Sequence, residues 1–462
     1  MSSLVNLKQT LKHIFENKNH LFVFFVVSAV IGVGVSYSNF YLFHISLVIY
    51  IITYTLIFPI KKFSENLLLS KLPTRLHYFI FFTIIWYALM ILISENKIYG
   101  ITYLVFILIG SFIIFVIVQK VKSVSLLETL FKALSIVVTV EIFISFLESF
   151  GIFRWPISRL SENVIYFGRP DELYGILRES VSAFYVITMP TGFHWNPNDL
   201  AVLLGMAFPF FLFNKNKWIA ISGNIIILWL IIQCGARIVF ISYFIMLLIS
   251  CLFINRKNFV VPLITLIAVL FCSSNGFNSL QGKYPKFNEI QTFTYGLVGL
   301  NQPRYNQENE DLKKGSIALR KELIKFGVNA SIAHYGIGVG GGNSRYELEK
   351  IGGMGEKKIV NLHNFWVEIL MEGGIIYLLA FMFWYCLMLW KLFQASRNVK
   401  DQRLKYFSKS LFVALCGFVV SAIAPSTVAY FLPMYVLFGF CISTINVYLL
   451  SENNNSYSIF SS

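Results

Sequence analysis

The chain has 462 residues, of which 56% are hydrophobic and only 13% are charged, and its formal net charge is +15. Soluble domains carry about 25% charged residues, so this composition excludes an ordinary soluble protein. The apolar runs are continuous, whereas barrel strands alternate polar and apolar residues, and this difference predicts an all-α polytopic membrane protein. Most Lys and Arg residues lie in short loops of one parity, so the basic charge indicates membrane orientation and not nucleic acid binding.

We predict about twelve transmembrane helices, because a helix needs about 20 apolar residues to cross a hydrocarbon core of roughly 30 Å. The N-terminal segment is polar and basic, and the apolar run after it is long enough to remain as a helix, so no cleavable signal peptide is expected. The predicted spans lie near 21–38, 40–60, 77–94, 100–119, 127–150, 197–213, 218–233, 237–255, 259–273, 364–390, 408–424 and 429–450.

Clusters of Lys and Arg follow the second, fourth, sixth, eighth and tenth predicted spans, on the same side as the N-terminus. By the positive-inside rule this side is cytoplasmic, and both termini are predicted to be cytoplasmic. The expected organisation is a cytoplasmic N-terminus at 1–20, nine helices within 21–273 that include an outer loop at 151–196, a large outer loop at 274–363, three helices within 364–450, and a cytoplasmic tail at 451–462.

Two outer loops, 151–196 and 274–363, are long enough to be functional or disordered. The first mixes aromatic residues with arginines, a composition that anchoring at the membrane interface can explain. The second contains a predicted helix, which Ser316 can cap and in which Leu319 and Leu323 fall on one face.

The six cysteines are scattered in or near apolar runs and lack the spacing of metal ligands, so they are interpreted as packing residues. A disulfide between Cys234 and Cys272 at the outer surface is the alternative for that pair. No carboxylate cluster such as Asp-x-Asp stands out in the outer loops, so we predict no metal site and no cofactor.

Two arginines lie on the predicted outer side of the membrane. Arg237 is in the very short link between the seventh and eighth spans, on the side that the positive-inside rule disfavours. A guanidinium stays charged and binds phosphate oxygens in pairs, so Arg237 is a candidate phosphate ligand, and an interface-anchoring arginine is the alternative. Arg320 lies in the predicted loop helix, where the pattern alone favours a solvated charge.

The segment 334–343 is rich in glycine. Glycine permits positive φ and a close approach of the backbone, so the amides around Gly338 and Gly340 are candidates for an anion-binding nest. No strand–helix unit frames these glycines, so they do not form a dinucleotide-binding fingerprint. A tight bend that returns the loop helix to the membrane is an equally good interpretation.

His363 stands where the large outer loop meets the tenth predicted span. An ionisable residue at the edge of a bilayer is costly without a role, and a near-neutral imidazole suits the removal of a proton from a sugar hydroxyl at pH 7. Helix capping is the alternative.

Asn364, Glu368 and Glu372 follow on one face of the span, and acids inside a span need partners or a wet cavity. Glu368 either orients the base, contacts an acceptor or pairs with a buried arginine.

Two further segments have helix-shaping residues. Pro197 suits the first turn of the sixth span, and Asn196 or Asn198 can cap it, although Asn198 is also a candidate substrate contact. The pair Gly373-Gly374 in the tenth span would let another helix approach closely.

Taken in order, these pieces resemble the bacterial O-antigen ligase and O-antigen polymerase superfamily. The matching segments are Trp195–Ala201, Cys234–Arg237, Leu319–Arg320 followed by Tyr335–Gly340, and His363–Leu370 followed by Gly373–Ile375. The resemblance covers roughly 190–380 and includes the single large outer loop before the histidine. The usual Ser-Arg pair of the family is Ala236-Arg237 in this chain, so the arginine is kept and the serine is not.

The resemblance implies a GT-C-like, metal-independent glycosyltransferase of the bacterial cytoplasmic (inner) membrane, with its active site on the outer face. The implied donor is a glycan on undecaprenyl diphosphate, and related members build teichuronic acid or glycosylate proteins. By this resemblance Arg237 and Arg320 stabilise the diphosphate leaving group and His363 deprotonates the acceptor hydroxyl. The candidate substrate-binding residues are Asn198, Asn364, Glu368, Gly338 and Gly340.

Several functions stay open at this point. A polymerase would pass the growing chain to the next lipid-linked repeat unit, whereas a ligase would pass it to lipid A-core; we favour the polymerase because no feature singles out a lipid A-core acceptor. Membrane lipids and a chain-length regulator are further candidate partners. A lipid or polysaccharide transporter would favour paired charges at mid-membrane and internal repeats, whereas the unusual polar groups here cluster at the predicted outer face.

Overall fold

The computed structural model describes residues 19–57, 72–175, 183–254, 316–355 and 358–459. Within these ranges the chain is mainly helical, and the sheet structure consists of a short antiparallel hairpin in which β1 (Ser36–Tyr37) pairs with β2 (Phe40–Tyr41). The predicted all-α polytopic membrane fold is confirmed.

Fourteen α-helices lie in the described ranges. They are α1 (His20–Ile31), α2 (Leu42–Ile57), α3 (Tyr78–Ile93), α4 (Lys97–Lys120), α5 (Val124–Ser149), α6 (Ala183–Thr188), α7 (Pro197–Leu212), α8 (Lys217–Gln233), α9 (Arg237–Ile249), α10 (Ser316–Ala333), α11 (Asn343–Lys350), α12 (Phe365–Asn398), α13 (Gln402–Ser421) and α14 (Leu432–Ile459). Short 3₁₀ helices occur at Gly32–Gly34 and Glu162–Phe167, and α9 continues as a π turn over Ser250–Ile254.

Helices lie over eleven of the twelve predicted spans. The ninth, 259–273, lies outside the described residues, as does Cys272, the predicted disulfide partner of Cys234. In the described part of the chain, six helices are long and apolar enough to cross a membrane by length and composition, and five shorter apolar helices accompany them. The predicted loop helix is confirmed as α10, and Leu323 on its apolar face is fully buried.

The helix α14 runs through the middle of the bundle. Nearly every side chain from Leu432 to Tyr448 is buried, as expected for a helix that is apolar on all sides. Glycines bring α4 and α14 close together, because a Cβ on Gly110 would lie 2.2 Å from the ring of Tyr435. Around this pair α13 packs against α7, α9, α12 and α14, and the ends of these helices carry the candidate site.

The helix α12 is broken near its start, where Gly374 has a φ of 79° and a ψ of 175°. The glycine-rich segment that follows α10 crosses α12 at this break. The Gly340 amide donates to the carbonyl of Glu372 at 3.1 Å, and the Ile375 amide donates to the carbonyl of Gly336 at 2.8 Å. A Cβ on Gly374 would lie 2.1 Å from a carbonyl oxygen of the crossing segment, so only glycine fits there.

The neighbouring glycine of α12 has a different contact. Trp86 of α3 donates its indole N–H to the carbonyl of Gly373 at 2.8 Å. The expected approach of another helix at Gly373-Gly374 is therefore seen at the first glycine, while the second receives the glycine-rich segment.

Glu148, at the end of α5, organises the loop that leads into α7. Its buried carboxylate accepts hydrogen bonds from the backbone amides of Trp155 (3.0 Å), Thr191 (2.8 Å) and Gly192 (2.8 Å), and it lies 3.4 Å from the Arg154 guanidinium. A carboxylate with this many donors holds the loop in one conformation. Arg154 of the predicted 151–196 loop thus has a structural partner besides the membrane interface.

Candidate active site

Arg237 is the first residue of α9 and follows a link of three residues after α8. Gly235 in this link has a φ of 67°, and its carbonyl accepts the Arg237 amide at 3.1 Å, so the chain turns sharply. The Arg237 side chain is half-buried. Because a helix N-terminus carries partial positive charge, Arg237 adds its own charge where an anion is already favoured.

Arg320 lies in the second turn of α10 and is half-buried. Its guanidinium donates to the carbonyls of Ile423 at 3.3 Å and Ala424 at 3.4 Å. These carbonyls follow the end of α13, where helix carbonyls lack partners within the helix. The solvated-charge interpretation of Arg320 is therefore wrong, because the guanidinium is fixed against the connection between α13 and α14.

His363 has a φ of 50°, which is uncommon for a residue with a side chain. The next residue, Asn364, is the N-cap of α12 and accepts hydrogen bonds from the amides of Trp366 (3.1 Å) and Val367 (3.3 Å). Asn364 therefore performs the capping that was the alternative role of His363. The Nδ1 atom of His363 is buried and has no hydrogen-bond partner among the described residues.

Arg320 lies within electrostatic reach of both Arg237 and His363. Burial and then the charge of Arg237 lower the pKa of Arg320. Burial and then the charge of Arg320 lower the pKa of His363 to about 4, so this imidazole is neutral at pH 7. A guanidinium whose charge is disfavoured by a neighbouring arginine, beside a neutral imidazole, forms a site that a bound anion would stabilise.

The other predicted substrate contacts have local structural roles. The Gly340 amide donates to a carbonyl of α12 and is not available to an anion, and a Cβ on Gly338 would lie 2.7 Å from the amide nitrogen of Gly374. The structure thus supports the tight-bend interpretation of this segment over the anion nest. Asn196 caps α7 by accepting the amide of Asn198 at 2.9 Å, and Asn198 itself is half-buried in the first turn.

Both acids of α12 are buried and receive hydroxyl donors. Glu368 accepts from Thr427 at 2.6 Å and from Tyr103 at 3.4 Å, and Glu372 accepts from Ser344 at 2.5 Å. Among the described residues, the partners of Glu368 are hydroxyl groups and not the buried arginine that was one alternative. Both carboxylates line a cavity of about 110 Å³.

Sequence reasoning missed the connection between α13 and α14. This connection supplies the two carbonyls that hold Arg320 and the hydroxyl of Thr427 that holds Glu368. Pro425 marks it as a helix stop, but backbone carbonyls give no signal in a sequence. The Tyr103 hydroxyl was also missed, because the apolar pattern of α4 does not distinguish it from a packing residue.

Residues 222–382 match the family model Wzy_C, described as O-Antigen ligase. This region contains Arg237, Arg320 and His363. The predicted resemblance to the O-antigen ligase and polymerase superfamily is confirmed. The chain is also similar to the teichuronic acid biosynthesis protein TuaE of Bacillus subtilis (strain 168), with 26% identity over 384 residues that cover 80% of this chain and 71% of the relative.

The superfamily match and the apolar helices together identify a multi-pass membrane protein with a function of glycan polymerase or ligase type. Substrates of such proteins are lipid-linked glycans in general.

Proposed function

We propose that the chain is a glycosyltransferase that polymerises undecaprenyl-diphosphate-linked repeat units on the outer face of the bacterial cytoplasmic membrane, with both termini cytoplasmic. The observation that carries the proposal is the grouping of Arg237, Arg320 and His363, which come from three separate elements. Two neighbouring cations beside an uncharged base match the two tasks of the reaction, which are to bind a diphosphate and to accept a proton.

In the proposed reaction, the acceptor hydroxyl oxygen attacks the anomeric carbon of the donor sugar, and the bond from that carbon to the diphosphate oxygen breaks. The hydroxyl proton passes to His363. Undecaprenyl diphosphate leaves with increased negative charge on the oxygen that held the sugar. Arg237 and Arg320 stabilise that charge through guanidinium hydrogen bonds, and electrostatic stabilisation of this kind is often the largest contribution to such transfers.

The geometry also links donor binding to base strength. Burial and Arg320 hold the pKa of His363 at about 4, which makes it a weak base. A diphosphate between Arg237 and Arg320 would offset the Arg320 charge, and the pKa of His363 would rise toward the working pH. His363 would therefore become an effective base when the donor is bound.

We propose further that the transfer needs no metal ion, because the two guanidinium groups supply the positive charge that a metal supplies in other phosphate-releasing enzymes. Similarity to a protein named for teichuronic acid biosynthesis supports the building of a polymer over transfer to lipid A-core. The ligase with a lipid A-core acceptor is the alternative within the same chemistry.

The test is an envelope polysaccharide gel of a strain that lacks the gene, complemented with wild type or with His363→Ala. His334→Ala is the matched control, because His334 is an exposed histidine just after α10. We expect long chains to be restored by wild type and by the control only. Single-repeat bands in the mutant would support the polymerase, and bare core with accumulated lipid-linked polymer would support the ligase. Full restoration by His363→Ala would contradict the proposal.

A further inference from the structure

A cavity of about 320 Å³ lies between α1, α5, α7, α8, α13 and α14. Leu203 and Phe211 of α7 both line it, so it extends at least about 12 Å along that helix, at 1.5 Å per residue. Most of the described wall is apolar, and its polar side chains are those of Ser135, Thr139, Asn214 and Tyr406. An elongated cavity with so few polar groups suits a hydrocarbon chain.

Three lysines gather at one end of this cavity. Lys405 and Lys409 are four residues apart near the start of α13, and therefore on one face of that helix. The ammonium of Lys409 lies 4.6 Å from the centre of the Phe213 ring, which directly follows α7, and Lys215 comes two residues after that ring. Lys409 is half-buried and lies within electrostatic reach of both Lys405 and Lys215. The three cations thus form one cluster.

The lysine cluster adjoins the end of the cavity. Asn214 directly precedes Lys215, Tyr406 directly follows Lys405, and both Asn214 and Tyr406 line the cavity. The hydroxyl of Tyr406 donates to the carbonyl of Phe210 at 2.7 Å, which fixes this part of the wall between α7 and α13. Helices α8 and α13 both begin at this end, and the partial positive charge of their N-termini adds to that of the lysines.

The acids near this end are already paired with other cations. Glu128 lies 3.0 Å from Lys132 and 3.2 Å from Arg403, and Asp401 lies 3.4 Å from Arg403. Among the residues that the structure describes, the three lysines of the cluster form no ion pair. Neighbouring cations without a carboxylate are stabilised by an anion from outside the chain.

This cluster is far from the candidate active site. Helix α13 has 20 residues and is therefore about 30 Å long. The lysines are near its start, whereas the carbonyls of Ile423 and Ala424, which hold Arg320, follow its end. About 30 Å is the thickness of a hydrocarbon core, so a diphosphate bound at Arg320 cannot also neutralise the lysines. A second anion is needed, and it must come from the opposite leaflet.

We propose that this cavity binds one acyl chain of an anionic phospholipid from the leaflet opposite the candidate active site, with the lipid phosphate held by Lys215, Lys405 and Lys409. Lysine binds phosphate as a point charge. A zwitterionic lipid is disfavoured, because its amine would add a positive charge beside three lysines. The basic loops predict that this leaflet is the cytoplasmic one, where basic pockets between transmembrane helices bind anionic head groups.

The first test compares two lipids that differ only in the head group. The full chain is stripped of lipid in detergent and titrated with dioleoyl phosphatidylglycerol or dioleoyl phosphatidylethanolamine, and bound lipid is counted by native mass spectrometry. We expect the affinity for phosphatidylglycerol to be at least about fivefold higher. Lys409→Gln should lower that affinity about fivefold and leave the affinity for phosphatidylethanolamine unchanged. Equal affinities for the two lipids in wild type would overturn the proposal.

Lys391→Gln is the matched control for Lys409→Gln. Lys391 is also half-buried, but it lies toward the end of α12, a helix that contributes nothing to the described wall of the cavity. We expect this variant to bind phosphatidylglycerol as wild type does. Equal losses in Lys391→Gln and Lys409→Gln would show that overall charge, and not this cluster, attracts the lipid, and would refute the assignment.

A second pair of variants leaves every lysine in place. Ser135 and Ile136 are neighbours in α5, but Ser135 is half-buried and lines the cavity, whereas Ile136 is 65% exposed and does not line it. Ser135→Trp should fill the cavity and abolish the preference for phosphatidylglycerol, and Ile136→Trp should retain it. The same preference in both tryptophan variants would contradict the placement of the acyl chain.

A third arm distinguishes the phospholipid from a polyprenyl lipid. Undecaprenyl phosphate is added at equal concentration to the phosphatidylglycerol complex, and the bound lipid is identified by its mass. Retention of phosphatidylglycerol supports the proposal. Its replacement by undecaprenyl phosphate, in wild type but not in Ser135→Trp, would overturn it and assign the cavity to a polyprenyl chain. Because the readout is binding, these results do not depend on the proposed transfer chemistry.

Discussion

The link between Arg320 and His363 allows a quantitative prediction. Arg320→Met removes the cation and retains a long apolar side chain, so the electrostatic effect on His363 can be isolated. Lys321→Met is the matched control, because Lys321 is an exposed cation at the next position of α10. We expect the pKa of His363 to rise in the first variant and to stay unchanged in the second.

The size of the change follows from the causes of the shift. The pKa of His363 is lowered from 6.5 to about 4, and burial is a larger cause than Arg320. Arg320 therefore accounts for less than half of the difference, and the Arg320→Met value should lie between 4 and about 5.2. At pH 5 a histidine with a pKa of about 4 is roughly 90% neutral, whereas one with an ordinary pKa is roughly 3% neutral.

The sign of the pH dependence follows as well. Because the folded site lowers the pKa, the unfolded chain binds more protons between pH 6.5 and about pH 4. Protonation of His363 therefore leaves the free energy of unfolding unchanged above pH 6.5 and lowers it as the pH falls from 6.5 to about 4.

The assay is the rate at which diethyl pyrocarbonate, a reagent for neutral imidazole, modifies His363 in nanodiscs, followed by mass spectrometry between pH 3.5 and 8. Free N-acetylhistidine in the same tube reports the ordinary pKa. Wild type should keep its plateau rate down to pH 5, and Arg320→Met should lose reactivity at a higher pH. A wild-type midpoint near 6.5, or identical midpoints in wild type and Arg320→Met, would refute the reasoning.

Three further predictions concern the fold and the metal. Gly374→Ala should abolish the folded fraction in size-exclusion assays, because φ is 79° and a carbonyl oxygen lies 2.1 Å from the new Cβ. Gly352→Ala has the same φ but open space around the Cβ, so it should lower the free energy of unfolding by only about 1–2 kcal/mol. Equal losses in the two variants would show that backbone strain alone, and not the close carbonyl, determines the effect. Glu148→Ala should destabilise by about 3–5 kcal/mol, since it leaves three amides without their acceptor and the largely buried Arg154 without its counter-ion, whereas the exposed Glu162→Ala should leave the thermal midpoint unchanged. Chelation by EDTA should leave the transfer rate unchanged, and loss of activity that is restored by a divalent cation would contradict the proposed metal independence.

Much of the helical architecture could be predicted from the sequence. In a bilayer every backbone polar group must be paired within its own segment, so continuous apolar runs have one common solution, the helix. The predicted span at 197–213, for example, is α7 over Pro197–Leu212, with Asn196 as its cap. The break in α12 at Gly374 could not be predicted, because it depends on a distant segment that crosses there.

Some residues of the candidate site could be predicted from the sequence, and others could not. Arg237 and His363 stand out because charge at a membrane edge is costly, and the pattern alone drew attention to both. Arg320 looked like a solvated charge, because its partners are backbone carbonyls that follow α13, about 100 residues later in the chain. The cavity beside Glu368 depends on Tyr103 and Ser344, which come from different elements, and only the folded chain brings them together.

The most direct test of the central claim is mass spectrometry of the undecaprenyl-linked lipids extracted from a strain whose only copy of the chain carries His363→Ala. We expect undecaprenyl diphosphate bearing a single repeat unit to accumulate, and lipid-linked chains of several repeats to be present only with wild type. Lipid-linked chains of normal length in the His363→Ala strain would contradict the role of His363 in polymerisation.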